Sequence, residues 1–350
     1  MLGRPHQMVM LKADFRHMNE LRIEVTRGGA VESAHRAIAV AVDADGAVAL
    51  GRGEVETPVF PRSAVKVLQA LPLVESGAAD AFGFGTRELS IACASHSGED
   101  GHAALAGEIL ARADLGETDL ECGCHWPFDM PVALDLARRG LQPTQLHNNC
   151  SGKHAGFLCT AVHLGEDLRG YVGGEHPVQR RVRQAIEDVT GEPVGTRLPA
   201  GIDGCSIPTY AAPLRSFAHA FAKLCAGTGV EPERARAGRR LIEACMSEPW
   251  LMAGTRRACV SLMGAAPGRV FAKTGAEGVF CGAVPELGLG FAIKAEDGAT
   301  RASEASVAAW LAALLRPHDA ALAERYEALS RHPLRNWQGT EVGEVRVAGL

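Results

Sequence analysis

Strand-like runs stand at both ends of this chain and helix-like runs fill its middle, an arrangement that few architectures accommodate. Residues 21–25 read as one strand, and residues 36–51 as a hairpin whose turn is Asp43-Ala44-Asp45-Gly46 flanked by Val, Ile and Ala. From residue 63 the period changes to that of helices. They are predicted over 63–71, 88–94, 101–113, 149–164 and 177–189, in a segment from Tyr210, and over 231–246 and 255–264, with Gly, Pro and Asn between them. Strand signals return at 269–273, 278–284 and 288–294, and an Ala- and Leu-rich helix over 304–315 follows. Half-buried strands from opposite ends of a chain find cover by sharing a sheet. The predicted fold class is therefore α+β: an antiparallel sheet built from N- and C-terminal strands, with an inserted helical region, and not a βαβ alternation. The expected organisation is an N-terminal extension over 1–20, flexible, and a single domain over 21–350. Its sheet parts are about 21–60 and 266–350, and its helical region is about 61–265.

Composition narrows the function classes. At 350 residues, 47% apolar and 22% charged, the chain resembles ordinary globular proteins and excludes disorder and disulfide miniproteins. The 41 acidic and 36 basic residues give a net charge of −5 without a run of like charges, so neither nucleic acid nor an anionic membrane is an expected partner. Arg4, His6, Lys12 and Asp14 interrupt every short apolar stretch of the first twenty residues, which predicts no secretory segment, and Met8, Met10 and Met18 are alternative starts. No apolar stretch is long enough to span a bilayer, and a cytoplasmic location is expected. In that compartment the ten cysteines read as thiols or ligands rather than disulfides. The P-loop, the dinucleotide fingerprint, H-E-x-x-H and G-x-S-x-G are all absent.

Four segments can carry chemistry. In Pro61-Arg62-Ser63-Ala64-Val65-Lys66, Ser63 and Lys66 lie one turn apart at a helix start, where the positive end of the helix disfavours an ammonium and favours a neutral base. A serine cap beside a solvated lysine explains the same letters. Ala94-Ser95-His96-Ser97-Gly98-Glu99 gathers hydroxyls, an imidazole and a carboxylate, or else forms a capping box before the next helix. Lys273-Thr274-Gly275, ending a strand, offers an ammonium, a hydroxyl and an uncrowded backbone N–H to an anionic or carbonyl substrate. In the order S-x-x-K, second serine, K-T-G, these match the layout of penicillin-binding proteins and serine β-lactamases. Finally, Cys150 faces Lys153 and His154 across a helical turn, and Cys205 in Gly201-Ile202-Asp203-Gly204-Cys205-Ser206 could close a metal or redox site with them; two buried cysteines are the plain alternative. Cys122-Gly123-Cys124-His125 reads as structural or incidental thiols, and His35 and Arg36 face either a substrate or the rim of the sheet.

Taken together, Glu24–Gly29, Val31–Arg36, Phe60–Lys66, Ala92–Glu99, Asn148–Gly156, His176–Gln179, Ile202–Ser206 and Ala272–Gly278 resemble the bacterial L-asparaginase II family of the thermolabile, rhizobial type. The resemblance implies a serine β-lactamase and penicillin-binding-protein-like fold, a homodimer, and hydrolysis of L-asparagine to L-aspartate and ammonia. It implies two Ser–Lys tandems, Ser63 with Lys66 and Ser95 with Lys273, and a zinc ion on Cys150, Lys153 and Cys205 with Asp203 nearby. Arg62, His96, Asp203, Thr274 and Gly275 are the expected substrate-binding residues. Two other readings stay open: a glutaminase or penicillin-recognising acyl-enzyme hydrolase on the same fold, and a non-enzymatic zinc or thiol sensor whose serines are only caps.

Overall fold

The structure, a computed structural model, describes residues 19–350, so nearly all of the expected 1–20 extension lies outside the described residues. Among the described residues twelve strands are formed: β1 (Leu21–Arg27), β2 (Ala30–Val42), β3 (Val48–Arg52), β4 (Pro58–Val59), β5 (Ala200–Ile202), β6 (Pro208–Tyr210), β7 (Ala212–Pro213), β8 (Phe271–Gly275), β9 (Val279–Val284), β10 (Leu289–Ala295), β11 (His332–Arg335) and β12 (Glu341–Ala348). Eight of them make one antiparallel sheet in the order β11-β12-β1-β2-β10-β9-β8, with β3 paired to β2 beyond the end of β1. The sheet is thus assembled from both chain ends, as the α+β reading requires, and the helices between them form the insert.

The long β2 exceeds the strand expected from residue 36. Gly28 and Gly29, at φ +56° and +84°, form a two-residue turn that pairs Arg27 with Ala30 and extends the ladder backward through exposed residues. Apolar patterning cannot report a ladder whose side chains face water on that stretch. The helices Met130–Arg138 and Ala320–Leu329 and the strands β11 and β12 were likewise not individually expected. Only Leu136 of the first helix is buried, which leaves its pattern without a core stripe.

Cross-strand partners share a face of a sheet, so Lys273, Cys281, Ala292 and Val40 line one face together. Gly290, two residues from Ala292, lies on the same face. A Cβ there would stand 2.0 Å from the carbonyl oxygen of Ala218, so glycine lets the Leu214–Ala226 helix of the insert seat directly on the sheet. Lys273 therefore points toward the inserted helices. The Thr300–Leu315 helix packs against β1, β2, β9, β10 and β12, and the core runs without interruption from sheet to insert.

Candidate active site

Three close approaches of backbone assemble the site. A Cβ on Gly275 would fall 2.4 Å from the Pro61 carbonyl oxygen, so only glycine brings β8 against the turn that carries Ser63. A Cβ on Gly152 would fall 2.4 Å from the Ile91 carbonyl oxygen, which brings the Ser151–Leu164 helix, with Cys150 at its cap, against the Thr86–Ala92 helix that leads to Ser95. The Ser95 and His96 amides donate to the carbonyls of Met252 (2.9 Å) and Asn149 (3.1 Å), tying that loop to both neighbours.

Neither serine caps a helix. Ser63 lies within a 3-10 turn, Arg62–Val65, and the following Lys66–Glu75 helix starts at Val65 without a side-chain cap. The Asp100–Arg112 helix starts at Glu99, again without a side-chain cap, and the Glu99 carboxylate accepts instead from the amide and hydroxyl of Thr255. Both hydroxyls are thus free of the local work that would have explained them.

They meet each other. Ser95 Oγ donates to Ser63 Oγ at 3.0 Å, and Lys66 Nζ lies 3.3 Å from Ser95 Oγ. Lys66 also donates to the Ala94 carbonyl and, at 2.9 Å, to Cys150 Sγ. The lysine expected beside Ser63 is therefore joined to it through Ser95. Ser63 remains half-buried while Ser95 is 5% exposed, so the outer hydroxyl faces the solvent side of the chain and the inner one connects it to the amine. Loss of one proton from Lys66 would leave two N–H groups for Ala94 and Cys150 and free a lone pair toward the Ser95 hydroxyl.

Lys66, Lys153 and Lys273 are at most 1% exposed. Burying a charged amine is costly unless it is paired, and such groups concentrate at functional sites. Lys273 Nζ donates to the Thr274 carbonyl at 3.0 Å rather than to Ser95. Burial first, then the Lys66 and Arg257 cations, push its pKa down to about 7. Thr274 itself is fixed by its amide, which donates to Cys259 Sγ at 3.3 Å.

Lys153 donates to Cys205 Sγ at 3.2 Å. The hydrogen bond from the Cys150 thiol, helped by the Lys153 and Lys66 cations, lowers the Cys205 pKa to about 5, while the same bond and burial raise Cys150 to about 12. The shared hydrogen bond and the nearby lysines thus favour the thiol at Cys150 and the thiolate at Cys205. Burial works against the Lys153 ammonium, but Cys205, Cys150 and Asp203 together raise its pKa. Arg62 clasps Asp203, its Nε 2.7 Å and its second amino nitrogen 2.6 Å from Oδ1. Burial would raise the Asp203 carboxyl, and Lys153 and Arg62 overcome it and lower the pKa. Arg62 has φ +51°, a left-handed conformation that a non-glycine residue holds only when its surroundings enforce it. Its ion pair to Asp203 ties the Ser63 turn to the Cys205 loop.

His96 is placed differently from a substrate ligand. Its Nδ1 accepts from the Gly98 amide at 3.1 Å and its Nε2 meets Ser151 Oγ at 3.0 Å, so both ring nitrogens are occupied by the protein. Burial, and the neighbouring His102 and Lys66, hold its pKa well below the usual histidine range. His35 belongs to an ion cluster at the sheet rim with Asp297 and Arg301. Cys259, whose sulfur accepts from the Thr274 amide, is a contact that no sequence motif marks.

If the neutral amine of Lys273 takes part in proton transfer, turnover rises with pH through about 7 and levels off above it, because deprotonation supplies the active form. A profile of kcat between pH 5.5 and 9 that stays flat across this window contradicts that role.

A buried amine in contact with one of two linked hydroxyls makes up a site of the kind that activates an alcohol for attack on a carbonyl. The chain matches the family described as L-asparaginase II over residues 23–347 and belongs to that family. It is an amidohydrolase by that membership. Comparison with curated proteins returns no match. Among solved structures, the simvastatin synthase of Aspergillus terreus, as its LovD6 mutant, is 12% identical, with 73% of this chain and 84% of that chain covered and a TM-score of 0.38. A chain titled "Probable glutaminase from Bacillus subtilis complexed with 6-diazo-5-oxo-L-norleucine" is also 12% identical, with coverage of 75% and 78% and a TM-score of 0.31. No helix among the described residues is long and apolar enough to cross a membrane.

Proposed function

We propose that the protein is an L-asparaginase that hydrolyses L-asparagine to L-aspartate and ammonia through an acyl-enzyme on Ser63. The observation that carries this reading is the hydrogen-bonded line Lys66 Nζ, Ser95 Oγ, Ser63 Oγ, buried at the amine and open at Ser63. Ser63 Oγ attacks the side-chain amide carbon. Its proton passes to Ser95 as Ser95 gives its own to neutral Lys66, so the serine on the solvent side becomes the nucleophile without direct contact with the base. The protonated amine returns a proton to the departing ammonia, and water then hydrolyses the aspartyl ester by the reverse relay. Lys273, neutral above about pH 7, is the second proton acceptor beside this line. Asp203 and Arg62 offer a carboxylate and a guanidinium to the α-ammonium and α-carboxylate of the substrate, and Thr274 and Gly275 offer a hydroxyl and backbone polar groups at its other side. His96 supports the Ser95 loop.

The donor set Cys150, Lys153 and Cys205 fits zinc: the surroundings of Cys205 favour its thiolate, Cys150 stands beside it, and the Lys153 amine lies 3.2 Å from Cys205 Sγ. Among the described residues no group of three or more His, Cys, Asp or Glu is arranged to hold a metal, so the proposed site depends on the lysine losing its proton. A zinc ion held there would supply a fixed positive charge for the polar end of the substrate. The serine relay already provides the nucleophile. Exhaustive chelation, checked by metal analysis, is therefore expected to raise the KM for asparagine more than it lowers kcat, and Cys150→Ala to act in the same sense. Loss of turnover at saturating asparagine with an intact circular dichroism spectrum contradicts this.

A cytoplasmic homodimer acting on a small amino acid is the setting this reading proposes. Its direct test compares ammonia release from L-asparagine and L-glutamine with opening of a chromogenic β-lactam by the same preparation. Asparagine is expected to give the highest kcat/KM. Preference for glutamine or for the lactam overturns the assignment in favour of the corresponding alternative hydrolase. One extra methylene in a pocket discriminates by only about 1–3 kcal/mol, so the margin over glutamine rests on how Arg62 and Asp203 fix the α-groups.

A further inference from the structure

On the first turn of the Asp100–Arg112 helix, His102 is fully buried. Its Nε2 lies 3.0 Å from the Trp250 carbonyl, which can only accept, so this nitrogen carries the proton. Among the described residues its Nδ1 has no hydrogen-bond partner. Burial outweighs the Trp250 carbonyl and Glu99 and lowers the pKa, which favours the neutral ring. A phenylalanine would fill this space without an unmet nitrogen, so packing alone does not account for a histidine here. What the histidine adds is a donor that fixes the plane of its ring. That ring stacks on His96, with centroids 4.8 Å and planes 2° apart, and on the Trp250 indole at 4.2 Å and 25°. A Cβ on Gly101 would stand 2.8 Å from Trp250 Cη2, so glycine admits the indole to this helical turn.

Each stacking partner bears on Ser95 by its own route. His96 follows Ser95 in the chain, and the ties of its ring to the Gly98 amide and the Ser151 hydroxyl hold the turn after Ser95. Trp250 belongs to the short Pro249–Ala253 helix, whose Met252 carbonyl accepts from the Ser95 amide and whose Ala253 carbonyl accepts from the Ser97 hydroxyl at 3.2 Å. His102 thus touches both supports of the residue that links Ser63 to Lys66, while making no hydrogen bond to any of the three. We propose that His102 is a positioning residue for the relay: stacked on His96 and hydrogen-bonded to Trp250, it sets the place of the Ser95 hydroxyl between Ser63 and Lys66. The inference rests on the Ser63–Ser95–Lys66 relay proposed above. A misplacement of about 1 Å can cost about 100-fold in rate, and Ser95 Oγ must stay within reach of both partners, at 3.0 and 3.3 Å.

A double-mutant cycle against Ser95→Ala, read by steady-state ammonia release, tests this. His102→Leu, assayed well below its thermal transition, is expected to lower kcat by about 10- to 100-fold with KM changed by less than about twofold. His102→Phe keeps a ring on His96 and is expected to retain at least about fivefold more kcat than the leucine variant. In Ser95→Ala the positioned hydroxyl is gone, so His102→Leu should lower kcat there by less than about twofold further, whereas damage to folding would act alike in both backgrounds. If His102→Leu does not fold, His102→Gln, which also lacks a ring, is held to the same limits. The proposal is overturned by a leucine variant within about twofold of the parent, an equal loss in both backgrounds, a phenylalanine variant no better than leucine, or a loss carried mainly by KM. Unchanged kcat in Ser95→Ala itself would overturn the relay and this inference with it; failure of the cycle alone leaves the relay standing.

Discussion

Ser63→Ala and Ser95→Ala are each expected to lower kcat for asparagine by about 10³- to 10⁶-fold, and the double variant by no more than the worse single one. The two hydroxyls are consecutive members of one line, 3.0 Å apart, so removing either interrupts the same proton path. Residues that act as a unit give losses that do not add. Neither change should unfold the chain, since each removes one oxygen from a side chain that caps no helix. Multiplying losses in the double variant would mean that the serines act in separate steps, and a loss confined to one of them would remove the relay.

Lys66→Met is expected to be nearly as severe, about 10³-fold or more in kcat, with KM changed little. The amine touches Ala94, Ser95 and Cys150 at once, and the thioether keeps the volume while offering none of the three a donor. The Ala94 carbonyl then lies buried without its partner, which costs about 1–3 kcal/mol, partly offset by the relief of burying no amine. The effect on thermal stability should therefore be small beside the effect on turnover. Lys66→Arg should not restore activity, because a guanidinium stays protonated and has no lone pair to accept the Ser95 proton. Recovery of substantial turnover in the arginine variant would show that this position supplies charge rather than a base.

The architecture was legible because it is written in apolar period, which is a local property. The alternation in residues 21–25, the apolar runs over 278–284 and 288–294 and the helical spacing over 149–164 and 177–189 each predict an element that the structure contains. Elements with few fully buried side chains escaped this reading: the backward half of β2, the Met130–Arg138 helix and the terminal strands β11 and β12. The candidate residues were legible as types in sequence order, and the structure does bring Ser63, Lys66, Ser95, Cys150, Lys153 and Cys205 together. Their pairing was not legible. Spacing placed Lys66 beside Ser63, but Ser63 sits in a 3-10 turn and the lysine side chain runs inward toward the Ser95 loop, an orientation set by Ile91, Gly152 and Met252 far along the chain. The same holds for Lys273, whose distance in sequence from Ser95 left its contacts to the tertiary fold. The double occupancy of the His96 ring, too, depends on Gly98 and Ser151 meeting it in space.

The central claim is that Ser63 carries the acyl group while Ser95 only passes the proton. Enzyme mixed with excess L-asparagine, quenched in acid during steady turnover and digested, should show by mass spectrometry an aspartyl ester on the peptide that contains Ser63, absent without substrate and absent from Ser63→Ala. An ester on Ser95, or on Cys150 or Cys205, with none on Ser63, would contradict the account.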